Sequence, residues 1–551
     1  MKKYLILLSL VGLVTTSCYE KLNITPPNSI TNEQVMDLLE NADDATVVTI
    51  MGALAEALPA QIKGGSYTTF NQAYYAYNYQ SQGSLRCLSG NDLVLGLTTP
   101  SGDIGNLYSC TNLRNSAGDD LLGYWKRGYA LAQAANKMFV MLTDELMATN
   151  SSAALKSFAG WGYVTRAYGY LWLMENFAYA YDGSASQLGV PIYTVYSTNQ
   201  ELKPRASEAE TYDSIFTWLN KGISLMEQGL PDYGNNYTQN GEGKINLGFA
   251  YFVQARAALC AHDWALASSA CDKLLANYST LMNEEQYVAK NENVGYNADN
   301  GTNYDFVYFA DSLGFTNLDK NPENIFGYTN ANKAYGSQNG LYNVLSGGYL
   351  TRIDNRLYDK IDDNDYRKDN FKDMTGVNYS APSASAFDNG SSLTMGSYTN
   401  FKFAANVGVD KVPGTTTECD PSVIDYSMFR LAEVYLMKAE ALAQQGNESG
   451  AKEVLNTLLA ARTREGAAPL TCDTYSSMAG MSALDMVKLQ TRIEMWGERG
   501  LEWYNNIRWG IPVNRSSSTV HHNPALTYPA ASMTLLIPDQ EMQTNNLCVQ
   551  N

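Results

Sequence analysis

The chain has 551 residues, 45% of them hydrophobic, with 38 basic residues against 56 acidic ones and a formal net charge of −18. The apolar fraction excludes wholesale disorder, and the acidic balance lacks the basic footprint of a nucleic-acid binder. Three histidines (His262, His521, His522) leave little for His-based metal chemistry, whereas tyrosine is abundant: 39, beside 8 Trp and 16 Phe.

Met1-Lys2-Lys3 is a short basic segment, and Tyr4 to Val14 is an apolar run too short for a stable membrane span. Thr15-Thr16-Ser17 then leads to a lone Cys18. This resembles a lipoprotein signal peptide over residues 1–17, with Cys18 as the acylated N-terminus. Thr15 stands where such sites usually carry Leu, and an ordinary secretion signal cut nearby is the alternative. Two or more acyl chains on Cys18 anchor a protein firmly, where one holds it only marginally. No other stretch approaches 18 continuous apolar residues, so the mature chain reads as anchored, not spanning. Its other cysteines (Cys87, Cys110, Cys260, Cys271, Cys419, Cys472, Cys548) are odd in number, and none are spaced CxxC. That argues against zinc and thioredoxin-like sites. Cys260 and Cys271 fall in helical patterns and read as buried free thiols.

Residues 18–50 form a lipidated leader and the start of the fold, opening on the polar, Pro-marked Tyr19-Glu-Lys-Leu-Asn-Ile-Thr-Pro-Pro. Helical spacing runs from Leu121 to Leu142 through Trp125, Tyr129, Ala132, Ala135 and Phe139, and again through Phe158, Trp161, Val164, Tyr168, Leu171 and Trp172. Ser207-Glu-Ala-Glu210 is a capping box opening a helix that Gly229 is placed to end. Leu247–Leu259 with Trp264–Leu275 forms a close helical pair. Arg430–Gln445 with Glu448–Arg462, hinged at Gly446-Asn447, forms another, and Gln490–Asn505 reads as a last long helix. Ala270, Ala439, Gly446 and Ala451 put small residues where antiparallel helices approach, as in tetratricopeptide-type packing, though the period is irregular. The scaffold thus covers about 119–277 and 426–510. Two long irregular regions, about 60–118 and 278–425, are rich in Gly, Asn, Asp, Ser, Thr and Tyr, and loops of that length usually have a use.

Motifs for chemistry are mostly missing. There is no HExxH, GxSxG, GxxxxGK[ST] or GxGxxG, and Gly241-Glu-Gly-Lys244 lacks the rest of a phosphate loop. Asp362-Asp-Asn-Asp365 lacks the turn Gly and terminal Glu of a calcium loop and reads as a solvated acidic loop. No carboxylate pair stands out for glycoside hydrolysis. Tyrosine is different. Residues 67–79 carry Tyr67, Tyr74, Tyr75, Tyr77 and Tyr79 among Asn and Gln, and residues 304–309 read Tyr-Asp-Phe-Val-Tyr-Phe. Stacking the C–H face of a sugar on such a ring removes some tens of Å² of apolar surface, about 1 kcal/mol, while amides and carboxylates take the hydroxyls. Ordinary core burial is the competing reading for each tyrosine, and Tyr74, Tyr75 and Tyr77 cannot all face one way.

The order of segments resembles the RagB/SusD-like family of outer-membrane nutrient-binding lipoproteins of Bacteroidetes. The likeness runs through Cys18-Tyr-Glu-Lys-Leu22, Tyr124-Trp-Lys with Ala135-Asn136, Arg166-Ala-Tyr168 and Gly189-Val-Pro-Ile192. It continues through Gly243-Lys244, Ala255-Arg256-Ala257 with Trp264, and Arg430-Leu-Ala-Glu433 to Glu440. Arg492-Ile-Glu494, Glu498-Arg499, Arg508-Trp509 and Ile537-Pro538 complete it. The resemblance implies a mainly α fold, with tetratricopeptide-like helix pairs packed with long loops and minor β-hairpins, forming a single domain over 51–551. It also implies a non-enzymatic, lipid-anchored protein on the outer face of the outer membrane. Such a protein captures oligosaccharide or polysaccharide for a TonB-dependent, SusC-like barrel transporter, without cofactor, metal or nucleic acid. Arg430 and Glu433, as i,i+3 neighbours, would be worth a few tenths of a kcal/mol if exposed and are read as structural.

No fixed ligand motif is matched, so the glycan-binding candidates come from the aromatic pattern. Tyr67, Tyr75, Tyr77, Tyr108, Tyr304 and Tyr308 are expected as stacking surfaces, with Arg86, Asn91 and Asp92 as hydroxyl partners. The alternatives are a helical-repeat interaction scaffold without a sugar site and a surface glycoside hydrolase.

Overall fold

The computed structural model describes residues 31–63, 83, 86–95, 102–184, 186–199, 201–239, 243–288, 293–296, 305–308, 314–315, 317–329, 351–373, 375, 378–379, 393–394, 396–403 and 425–551. Sixteen α-helices lie among the described residues. Helices are present within residues 31–50. Thr31 and Gln34 cap each other's backbone amides at the start of α1 (Asn32–Glu40), and α2 (Asp44–Lys63) follows. By length and composition α2 could cross a membrane, but Val47, Met51, Ala55, Leu58 and Ile62 form a buried stripe on the side packed against other helices. α3 is Gly102–Tyr108, α4 Asp119–Met138, α5 Asp144–Thr149, α6 Ala153–Phe177 and α7 Glu208–Glu227.

α6 is buried on nearly every side because α2, α4 and α7 all pack on it. Glycines permit the close crossings. A Cβ on Gly169 would lie 2.7 Å from the Gly128 carbonyl of α4, and one on Gly160 would lie 2.9 Å from the Gly222 carbonyl of α7. The capping box expected at Ser207 and Glu210 opens α7. Gly229 does not end the helix by turning left-handed: α7 stops at Glu227, and Gly229 is needed because a Cβ there would meet Ser157 Oγ at 2.2 Å.

α8 (Leu247–Cys260) and α9 (Trp264–Leu275) form one helix pair, and α12 (Leu431–Gln444) and α13 (Glu448–Ala461) another; α10 is Glu284–Tyr287 and α11 Asn355–Tyr358. The two hairpin turns are alike. In each, one amide bonds back across the turn (Asp263 N to Ala258 O, Asn447 N to Leu442 O), closing a Schellman motif. The residue in the left-handed conformation is Gly446 in one turn (φ 78°) and His262 in the other (φ 58°). Ala270, Ala439 and Ala451 are buried between the helices, as their size implies. The expected long helix at Gln490–Asn505 is instead two: α14 (Ala483–Glu494) and α15 (Leu501–Trp509), separated where Gly497, Arg499 and Gly500 turn left-handed. α16 is Asp539–Thr544.

Strands are short. β1 (Leu93–Val94), β5 (Arg352–Ile353), β9 (Thr399–Asn400) and β6 (Phe371–Lys372) make a four-stranded sheet in the order β1-β5-β9-β6, with Leu93 opposite Ile353. Two-stranded ladders join β2 (Asn293–Tyr296) to β3 (Asp305–Tyr308), β4 (Asn324–Tyr328) to β10 (Tyr426–Arg430), β7 (Asn378–Tyr379) to β8 (Leu393–Thr394), and β11 (Val513–Asn514) to β12 (Thr527–Tyr528). One continuous apolar cluster runs from Val35 to Cys548. Cys87, Cys110, Cys260, Cys271, Cys472 and Cys548 are buried free thiols; Cys18 and Cys419 lie outside the described residues.

Candidate ligand-binding region

The two irregular regions expected to carry ligand are held by different devices, and the devices meet. The 278–425 region is bolted to the helices by a buried cluster of four cations and four anions. Arg430 donates to Glu323 (2.8 Å), Glu494 (2.6 Å) and Glu498 (2.7 Å), and Arg462 donates to Glu323 (2.5 Å) and Glu494 (2.9 Å). Arg367 joins Asp365 (2.5 Å) to Glu494 (2.9 Å), and Lys402 reaches Glu498 (2.7 Å). Glu323, Asp365, Arg367 and Lys402 come from the irregular region; Glu494 ends α14, and Arg430, Arg462 and Glu498 flank α12, α13 and α14. Burial opposes charge on Glu494, yet Arg462, Arg430 and Arg367 hold its carboxyl well below the usual range. Burial pushes the Lys402 ammonium down to about 8 against the pull of Glu498.

Arg430 therefore does not pair with Glu433; Glu433 pairs with Arg499. The Asp362–Asp365 segment is solvated only at Asp363 and Asn364. Asp365 is wholly buried, accepting from Arg367 and from the Tyr475 hydroxyl (2.9 Å), while Asp362 accepts from the Ser476 amide (2.9 Å). Of the Gly241–Lys244 segment, Gly243 and Lys244 are described, and the left-handed backbone of Gly243 abuts the Tyr328 ring.

The 60–118 region is anchored around β1. Asp92 makes a two-pronged pair with Arg492 (2.8 and 2.5 Å), and its carbonyl accepts from Trp496 Nε1 (2.9 Å) and from the Asp354 amide (2.9 Å). Asn91 donates to the Pro512 carbonyl (3.2 Å) and accepts from the Asn514 amide (2.6 Å). The amides of Asn91 and Asp92 both donate to Glu502 (2.5 and 3.2 Å). Burial, and next the charge of Asp92, push the Glu502 carboxyl up to about 8. The Arg86 guanidinium lies 4.5 Å from the Tyr124 ring centroid and 5.4 Å from that of Trp503. The Tyr108 hydroxyl bonds His521 Nδ1 at 2.5 Å, and its ring lies under Arg515 at 4.2 Å. His521 Nε2 lies 2.9 Å from the Asn91 carbonyl, so it carries the proton and Nδ1 accepts from Tyr108. Burial holds His521 neutral, its pKa pushed down to about 2.

These contacts correct four expectations. Tyr108 is 2% exposed and Asn91 6%, and Arg86 and Asp92 are buried as well, so none offers an open ring or a free edge to a sugar. They form the knot that seats β1 against β5. Tyr67, Tyr75, Tyr77 and Tyr304 lie outside the described residues. Tyr308 ends β3, opposite Asn293 of β2. What the structure brings together is the pair of regions: the β1–β5 ladder joins residues 93–94 to 352–353 edge to edge. Two internal cavities, of about 20 and 10 Å³, lie among buried side chains such as Phe252, Arg256 and Trp496 and have room for a water, not a sugar. Among the described residues no group of three or more His, Cys, Asp or Glu could hold a metal ion.

Sequence reasoning missed Glu323, Arg367, Lys402 and Arg462 as one unit with Arg430. Its members are separated by up to 175 positions between Glu323 and Glu498, and only the Arg430, Glu494 and Glu498 end had a motif to show it.

A helical-pair scaffold, carrying two irregular regions joined through one small sheet, defines the class. The chain belongs to the SusD family, matching it over residues 149–550. It is similar to a SusD-like carbohydrate binding protein from Bacteroides vulgatus (20% identity, TM-score 0.65, covering 92% of this chain and 97% of that one). It is also similar to a SusD superfamily protein from Bacteroides thetaiotaomicron (18%, 0.65, 93% and 100%) and to a laminarin binding SusD-like protein (18%, 0.57, 91% and 98%). No curated protein matches the chain significantly.

Proposed function

We propose that this chain is a lipoprotein, acylated at Cys18 and held on the outer face of the outer membrane, that binds oligosaccharide or polysaccharide without chemical conversion and passes it to a TonB-dependent barrel transporter. The observation that carries this reading is the β1–β5 ladder, which brings the regions bearing both tyrosine-dense stretches to one sheet. Membership of the SusD family and the likeness to a laminarin-binding relative support a glycan as ligand. Tyr67, Tyr75, Tyr77, Tyr304 and Tyr308 are the proposed stacking residues. Arg86, Asn91, Asp92 and Tyr108 act by holding the anchor of the first region.

The test is isothermal calorimetry and affinity electrophoresis on a glycan panel that includes laminarin. The protein should bind at least one glycan, with no release of reducing ends. Tyr304→Ala with Tyr308→Ala, and separately Tyr75→Ala with Tyr77→Ala, should each weaken binding by tenfold or more at unchanged melting temperature. Each lost stack is worth about 1 kcal/mol, and two act together. Millimolar affinity fits the reading, because multivalent glycans add avidity. Binding unaffected by both double variants removes the tyrosines from the site, and silence across the panel removes the glycan.

A further inference from the structure

The four-stranded sheet that joins the two irregular regions carries two cations on one face. Direct pairing sets Arg352 of β5 against Thr399 of β9, and Thr399 against Lys372 of β6. Cross-strand partners share a face, so Arg352 and Lys372 stand on the same side, about 10 Å apart at two strand spacings. Both are half-buried, as is Tyr398. The 396–398 turn fixes the Arg352 guanidinium. Its Nε donates to the Ser397 carbonyl (2.7 Å). Its plane lies over Gly396, where a Cβ would come within 3.1 Å of Cζ, 3.2 Å of Nη2 and 3.3 Å of Nη1. Tyr398 follows in the left-handed conformation (φ 65°), which is unfavourable for a bulky residue. Its carbonyl accepts from the Ile353 amide (3.1 Å), and its ring is braced by Tyr358 (centroids 4.8 Å apart, 58°). Strain kept at one position beside a fixed cation points to a use for that ring.

The guanidinium lacks an acid. Its Nη1 and Nη2 have no hydrogen-bond partner among the described residues. Asp373 is close enough to act on its charge but makes no ion pair with it, accepting instead from the Thr375 amide (3.0 Å) and hydroxyl (2.6 Å). Asp354 is taken by Arg356, and Asp369 by Arg464. Burial lowers both Arg352 and Lys372, and Asp373 and Asp369 pull them back by less. We infer that this face binds the carboxylate of an acidic sugar, so that the glycan is one containing uronic acid. With Nε taken, the Nη1–Nη2 edge is left, and it matches the two oxygens of a planar carboxylate. The Tyr398 ring meets the C–H face of the sugar, and Lys372 adds a second positive charge in the same row. The net charge of −18 does not forbid this, because charges beyond about 8 Å are largely screened at physiological salt. The inference rests on the glycan reading above and names the class of sugar.

The experiment is calorimetry on the full-length chain with polygalacturonate, alginate and hyaluronan, each beside its carboxyl-reduced neutral form, and with laminarin and dextran sulfate. At least one uronate polymer should bind at least tenfold tighter than its reduced form and than laminarin, and should weaken as salt rises. Arg352→Gln should lose at least tenfold on that polymer, and Arg352→Lys, which keeps the charge without the fork, at least threefold. Tyr398→Gly removes the ring and suits the left-handed backbone, so binding should fall at least tenfold with the melting temperature held. Lys221→Gln, which removes a cation of α7, should bind as wild type. Equal binding of uronate and neutral polymers, or uronate binding that survives either Arg352→Gln or Tyr398→Gly, overturns the inference and leaves the glycan reading standing. Preference for dextran sulfate overturns it in favour of a sulfate ester. Silence on every uronate polymer while a neutral glycan binds overturns the inference alone, and silence on every glycan removes the glycan reading with it.

Discussion

Replacing Glu494 by Gln is the sharpest perturbation available in the buried charge cluster. The carboxylate accepts from Arg430 (2.6 Å), from Arg367 (2.9 Å) and twice from Arg462 (3.0 and 2.9 Å), with no exposed atom. An amide of equal size keeps an acceptor but turns a donor toward a guanidinium and leaves the four cations facing three anions. Charge-assisted bonds are worth about 1.5–3 kcal/mol each, and four of them would overshoot, because each arginine keeps a second carboxylate: Glu323 and Glu498 for Arg430, Glu323 for Arg462, Asp365 for Arg367. Breaking one partner out of a buried ion network costs about 3–5 kcal/mol, and that is the expected loss, read from the urea midpoint and slope. The pair Arg462→Met with Glu494→Met keeps the cluster balanced and should cost less than its two single changes summed. The pH dependence has a defined sign. A carboxyl held below its ordinary value stabilises the fold above that value, and the contribution fades as pH falls through the folded-state pKa, so wild type should lose stability in acid more steeply than Glu494→Gln. A cost under about 1 kcal/mol for Glu494→Gln would refute the premise that this cluster bolts the irregular region to the helices.

Glu208 should behave in the opposite sense. It is fully buried, and burial, then the charge of Asp182, push its carboxyl up to about 8. The folded state keeps a proton that the unfolded state releases, so stability should fall between about pH 4.5 and 8 and level off above; Glu208→Gln should flatten this slope in urea titrations at pH 5 and 8. Gly446→Ala should cost about 1–2 kcal/mol by thermal unfolding, since the left-handed φ of 78° is unfavourable to alanine while the space around it is open. Asp92→Ala strips Arg492 of its two-pronged partner and should cost about 2–4 kcal/mol in the same assay, weakening glycan binding by loosening β1 and not by losing a contact.

The helices were legible because their signals are local. The capping box at Ser207, the small residues at Ala439 and Ala451, and the Gly446 turn each act within a few residues, and each stands as its chemistry requires. The break between α14 and α15 was not legible. Gly497 and Gly500 are tolerated inside many helical patterns, and the left-handed backbone of Arg499 is sustained by a buried pair with Glu433, 66 positions earlier. The same holds for the site. Composition shows that aromatic and amide side chains are gathered in two irregular regions. Whether a given tyrosine is a platform or a brace depends on what arrives from elsewhere, and at Tyr108 it is His521 and Arg515. Periodicity, caps and motif order are short-range properties, so the helical scaffold and the family can be read along the chain. Which charges are buried together and which rings are covered depends on folding, because desolvation is set by neighbours brought in from far along the chain.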